Sequence, residues 1–167
     1  MNDTPRFGTA GLADSYTVKK FDPAAIAAYT AGFGLTAFEY QCGRGVRLAH
    51  DKAAALGAAC AERGIALSVH APYYISMSSL DEDKRLHSID YLLQSCALVK
   101  ALGGKRVIFH SGSCGKQSRE EALETALDGL DITFRTDVDL AGDGWPNRPP
   151  LAAAPAWALD EAYCGRS

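Results

Sequence analysis

Two histidines, His70 and His110, each close an apolar run: IALSVH (65–70) and RVIFH (106–110). They stand 40 residues apart (110 − 70), about one strand-plus-helix repeat. Short apolar runs rich in β-branched residues read as buried strands. In a parallel sheet the functional side chains gather at the carboxyl ends of the strands, whether the sheet is open or closed. Neighbouring strands run ~4.8 Å apart, so two imidazoles in matched positions can reach one metal ion at ~2.0–2.1 Å. Two ligands leave a tetrahedral ion such as zinc under-coordinated, and Glu39 on the preceding strand is a candidate for a third. Taken singly, either histidine also fits a strand end whose ring simply hydrogen-bonds to backbone.

Other chemistries find less support. His50 and His87 fall in helical segments among charged neighbours and read as surface residues. Ser111 and Cys114 follow His110 too closely to complete a nucleophilic triad, and no G-x-S-x-G elbow occurs. There is no P-loop, and FGTAGL (7–12) is too short for a dinucleotide-binding glycine fingerprint.

The elements that must position the two histidines are legible as an alternation. RFGTAG (6–11) reads as a first strand. Asp22-Pro23 opens a helix with an acidic cap and proline at the first helical position, and that helix ends near Gly32 and Gly34. TAFEYQC (36–42) is the second strand. A helix over about 46–63 follows, with Leu48, Ala55, Leu56, Ala59 and Cys60 as its packing face and Gly64 just past its end. After the third strand, Ser79-x-x-Glu82 reads as a capping box for a helix over about 80–102. Its Leu86, Ile89, Leu93, Cys96 and Leu102 recur at helical spacing, and Gly103-Gly104 stops it. KRVIFH (105–110) is the fourth strand, and Ser118-x-x-Glu121 caps a fourth helix. Four strand-helix units of roughly 30 to 40 residues imply an α/β fold with parallel strands.

Composition bounds the partners. The chain has 167 residues and a formal charge of −3, with a pI near 5.8. No global basic field advertises nucleic acid, so any such contact would rest on local clusters: Arg44 with Arg47, Lys105 with Arg106, and Lys116 with Arg119. Five scattered cysteines without a C-x-x-C pair, and no apolar leader, imply a reducing, cytoplasmic setting. Nothing approaches the ~18 consecutive apolar residues of a membrane span.

Several stretches together carry a resemblance: FGTAGLADSY, FEYQCGRGVRL, LSVHAPYYISM, KRLHSIDYLLQSC and VIFHSGSCGK. In order and in kind they resemble the bacterial branch of the endonuclease IV family, zinc-dependent apurinic/apyrimidinic endonucleases on a xylose-isomerase-like TIM barrel. The resemblance spans about residues 5–130. It implies that His70 and His110 are zinc ligands and that Tyr73 lies on a DNA-facing rim, with Gln41 and Arg44 of the second-strand loop also approaching DNA. The implied reaction is hydrolysis of the phosphodiester bond 5′ to an abasic site, in base excision repair. One small departure is Ser111, where the family usually has proline.

The larger departure is length. A TIM barrel needs eight units and about 250 residues, and this chain supplies four. The fold is therefore expected to be a partial (β/α)8 barrel, with residues 1–140 as its N-terminal half and 141–167 as an irregular tail. That tail holds four of the seven prolines, Pro146, Pro149, Pro150 and Pro155. The family's fifth-strand C-P-E-T-x-G motif, whose glutamate bridges zinc ions, is absent. A synonymous encoding of AGDGWPNRP (141–149), read one base later, yields Pro-Glu-Thr-Asp-Gly-Gln-Ile-Gly, close to that motif; a frameshift near Leu140 is one origin for the tail. Three outcomes stay open: an active zinc endonuclease, an inactive barrel remnant, or a sugar isomerase or epimerase on the shared scaffold. A half barrel also exposes a strand edge through which the chain could self-associate.

Overall fold

The structure is a computed structural model that describes residues 5–17, 20–135 and 162–163. Strand and helix alternate along the chain: β1 (Gly8–Ala10), α1 (Pro23–Gly32), β2 (Ala37–Gln41), α2 (His50–Ala61), β3 (Ala66–His70), α3 (Glu82–Ala101), β4 (Arg106–Ile108) and α4 (Arg119–Arg135). The strands form one parallel sheet in sequence order, and consecutive helices pack against one another. This is the four-unit parallel arrangement expected from the alternation, and it is TIM-barrel-like, as the resemblance implies. A fifth strand, β5 (Ala162–Tyr163), lies parallel beside β4, pairing Ala162 with Val107 and Tyr163 with Ile108. The remainder of the 141–167 segment lies outside the described residues.

Strand periodicity divides the sheet into two faces. The register sets Phe38 beside Leu67, and Tyr40 beside Val69, which in turn pairs with Val107. Phe38, Leu67, Val69 and Val107 are buried in a single core with Ile26, Ala53, Leu56, Cys60, Ile89, Leu92, Leu93 and Leu102 of the helices and their ends. The alternate rows run Glu39, Ser68, Arg106 and Gln41, His70, Ile108, and none of these six is buried. One close approach sustains the helix-facing side: a side chain at Gly104 would meet the Leu67 carbonyl oxygen at 2.5 Å. Glycine there lets the α3–β4 turn run against β3.

Local signals explain most element ends. The Asp22 side chain accepts from the Ala25 amide at 3.1 Å, with Pro23 in the first turn. At α4, Ser118 and Glu121 form a reciprocal box: the Ser118 amide donates to Glu121 Oε2 at 2.9 Å, and the Glu121 amide to Ser118 Oγ at 3.2 Å. Hydrogen bonding from Ser118 holds the Glu121 carboxyl below its usual range.

Four expectations need correction. α3 is capped by Asp81, whose carboxylate accepts from the Lys84 amide, and not by Ser79; the Ser79 hydroxyl turns instead to the Asp81 amide. α2 begins at His50, not near 46, after Ala49 in extended conformation, and it buries Ala53, Leu56 and Cys60 while Ala55 is exposed. Leu86 is half exposed, because the buried stripe of α3 starts only at Ser88. β4 also stops two residues short of His110. Its last partner is His70, the final residue of β3, so no rung exists for Phe109 or His110.

Candidate metal centre

His70 ends β3, and His110 follows β4 by two residues, so both stand at the carboxyl ends of adjacent parallel strands. Their ring centroids are 5.3 Å apart with planes tilted by 53°. His70 Nδ1 lies 2.9 Å from the Ala71 carbonyl oxygen. A carbonyl can only accept, so Nδ1 carries the proton and Nε2 of the neutral ring is left with its lone pair. That is the tautomer a metal ligand needs, held by an outer hydrogen bond.

Whether the pair suits a metal ion can be tested on its spacing. Two imidazoles bound to one tetrahedral ion at ~2.0–2.1 Å have centroids about 5 Å apart, and the observed separation agrees. The donor set is incomplete: among the described residues no group of three or more His, Cys, Asp or Glu side chains is placed to hold an ion. Glu39, one candidate for a further ligand, does not form a three-ligand group with the pair. It sits level with Ser68, two residues short of His70 along β3, and its Oε2 accepts from Ser68 Oγ at 3.4 Å. The residues present therefore fit half of a zinc site.

Of the three expected rim residues, Tyr73 and Gln41 stand next to His70. Tyr73 is 57% exposed, with its ring centroid 5.5 Å from that of His70. Gln41 is exposed and is the register partner of His70. Arg44 is exposed on the loop after β2. That loop is tied to the next, since the Tyr73 amide donates to the Gly43 carbonyl at 3.1 Å. Cys42, at the exit of β2, is buried, and burial pushes its thiol up to about 11, which disfavours the thiolate. His50 and His87 are exposed on α2 and α3. A cleft of about 1240 Å³ opens at the amino ends of the strands beside Ala37, Ala66 and Arg106, and neither histidine lines it.

Sequence reasoning passed over the serines that join the loops after β3 and β4. The Met77 amide donates to the Ser111 carbonyl at 2.8 Å, Ser78 Oγ to the Ser113 carbonyl at 2.9 Å, and Gln117 Nε2 to the Ser78 carbonyl at 2.7 Å. Ser88 Oγ accepts from the Ser76 amide and fastens the same loop to α3. The alternation of Ser76 and Ser78 with the buried Ile75 and Met77 was the available signal.

Comparison with known proteins gives this geometry a setting. "Probable endonuclease 4" of Mycoplasma pneumoniae is 39% identical over 66 residues, 40% of this chain and 23% of that protein. The protein of the same name from Acholeplasma laidlawii is 33% identical over 72 residues, 41% of this chain and 24% of the relative. Among solved structures, endonuclease IV from Thermus thermophilus superposes with a TM-score of 0.56 at 26% identity, covering 77% of this chain and 47% of its own. A 3-keto-D-glucoside 4-epimerase from E. coli shares the fold at 16% identity, with a TM-score of 0.54 over 75% of this chain and 49% of that one. The chain thus spans about half the length of these solved structures and about a quarter of the curated relatives in their matched regions. The family model for the xylose isomerase-like TIM barrel matches residues 27–137, more than half of the sequence. With its parallel strands, its alternating helices and this match, the chain belongs to the xylose isomerase-like TIM barrel family.

Proposed function

We propose that this chain carries the two-histidine portion of an endonuclease IV-type zinc centre, and that alone it cleaves DNA at abasic sites weakly or not at all. The observation that carries the reading is the 5.3 Å separation of the His70 and His110 rings at the mouth of adjacent strands. The named relatives are endonucleases of this type. His70 and His110 would hold the ion, and Gln41, Arg44 and Tyr73 would meet the DNA from the surrounding rim. Bound zinc supplies Lewis acidity toward a phosphate oxygen and lowers the pKa of a bound water to about 7. The residues of this chain contribute orientation: the Ala71 carbonyl fixes the His70 tautomer, and the Tyr73 ring stands tilted beside it. With two ligands for a cluster that needs many more, affinity and turnover both suffer.

No observation favours the sugar isomerase reading, since the epimerase likeness extends to the fold alone. A frameshift remains our proposal for the origin of 141–167, and sequencing the gene through the second frame tests it. We also propose a cytoplasmic setting; no helix among the described residues is long and apolar enough to cross a membrane. Self-association is supported by Leu123 and Leu127, one turn apart on α4 and 58% and 55% exposed; sedimentation over a concentration series checks it.

Zinc analysis of the purified full chain, run beside nicking of an oligonucleotide with one abasic site, tests the reading. At most one zinc per chain is expected, lost in His70→Ala and in His110→Ala, with cleavage near background. Brisk cleavage would overturn the inactive half-site, and zinc retained at the original stoichiometry in both variants would overturn the centre itself.

A further inference from the structure

The sheet does not by itself place His110. The β4 ladder ends at Ile108, and His110 is exposed beyond it. Phe109, buried on the core side, anchors the chain just before it. On its other side, residues Ser111 to Ser113 are held by the loop that descends from His70. We propose that Ser78 and Gln117 are positioning residues that fix the His110 imidazole against His70; this rests on the two-histidine centre proposed above.

The geometry is a relay between the two histidine loops. Ser78 is buried, and its hydroxyl donates to the Ser113 carbonyl three residues after His110. The adjacent Met77 amide donates to the Ser111 carbonyl, immediately after His110. Gln117 closes the relay from the start of α4, giving its amide hydrogen to the Ser78 carbonyl while its own Oε1 accepts from Thr125 at 3.5 Å. Between the clamped carbonyls lies Gly112, at φ +114°, where a Cβ would stand 2.7 Å from Ser78 Oγ and 3.0 Å from Ser76 Oγ. The serine hydroxyls occupy the space a side chain would need, so the loop packs in this one arrangement. Buried hydroxyls that donate well are costly to remove, because the acceptor is left unpaired. Outer hydrogen bonds that orient metal ligands typically carry about 10- to 100-fold in metal affinity.

The test uses the full chain and cobalt(II) as the probe, read by visible absorbance, with a metal-free measurement beside it. In the wild type, cobalt gives a ligand-field spectrum that His70→Ala and His110→Ala abolish. Ser78→Ala and Gln117→Ala should each weaken cobalt binding about 10-fold and alter the spectrum. Two controls should bind as the wild type. Ser79→Ala lies in the same loop, but its hydroxyl meets the Asp81 amide. Ser95→Ala removes a fully buried hydroxyl that bonds to Tyr91 within α3.

The metal-free measurement is the proton nuclear Overhauser effect between the two imidazoles, expected in the wild type at a 5.3 Å centroid separation and diminished in Ser78→Ala and Gln117→Ala. An undiminished effect in those variants, or cobalt affinity equal to the wild type, overturns the positioning role. Cobalt binding indifferent to both histidines overturns the centre instead, and the inter-ring effect still decides what Ser78 and Gln117 do.

Discussion

The two faces of the sheet differ in what they need from outside. Toward the helices, Phe38, Leu67, Val69, Val107 and Phe109 are at most 9% exposed, in one core with buried residues of α1 to α4. On the other face Glu39, Gln41, Ser68, His70, Arg106 and His110 all retain contact with solvent. In a closed barrel that inner face would be filled by layers of side chains from all eight strands; here, among the described residues, it is mostly polar, with Ile108 beside His70. The helix-facing side is therefore where four units become a fold, and the inner side is where chemistry is displayed. The contrast teaches that stability and site are separable in this half barrel, because they lie on opposite sides of one backbone.

Substitutions can break that contrast. Leu93→Ala on α3 removes a side chain 2% exposed in the core, and a loss of about 2–5 kcal/mol is expected, read as a shift in the urea midpoint at unchanged slope. A loss near zero would mean that the core does not hold the molecule together. A helix cap belongs to neither face and calibrates the two. Ser118→Ala should cost about 1 kcal/mol by the same assay.

Its partner adds a dependence on pH. Glu121 titrates lower in the folded chain, through hydrogen bonds from Ser118. Its stabilisation is thus complete above the unfolded carboxyl value of about 4.3 and disappears as pH falls through the lower folded value. Glu121→Gln should therefore be less stable than the wild type at pH 6, and the gap should close on acidification below pH ~4. On the inner face, Gln41→Ala should stay within ~0.5 kcal/mol of the wild type. A larger loss there would show the open face to be structural after all.

Much of the fold was legible because local chemistry and periodicity agree. Asp22-Pro23 and the Ser118–Glu121 box fix two helix starts, and alternating apolar strands face the helices. The start of α3 misled because Ser79 and Asp81 are both competent caps two residues apart; only the turn geometry decides which one meets a helical amide. Ala49 offers no side-chain cap at all, so nothing marked the start of α2. β5 carries two residues of pairing within a proline- and alanine-rich stretch and has no periodicity to read. Of the site, the paired histidines were visible as matched strand ends. The expected role of Glu39 failed on register, since parity puts it on the right face but at the wrong height. Of the serine clamp only the alternation of Ser76 and Ser78 with Ile75 and Met77 could be read; its acceptors are backbone carbonyls, which any residue can offer.

The direct amide bonds between the strand-exit loops have a consequence for how such barrels could be assembled. The bonds that join the two exit loops to each other lie inside the third and fourth units and the start of the helix beyond them, while β2 and its exit loop brace His70 and Tyr73 from the other side. A gene encoding β2 through the start of α4 would carry that donor spacing into a new host. The incoming half would have to supply further ligands, without having to teach the first two where to stand.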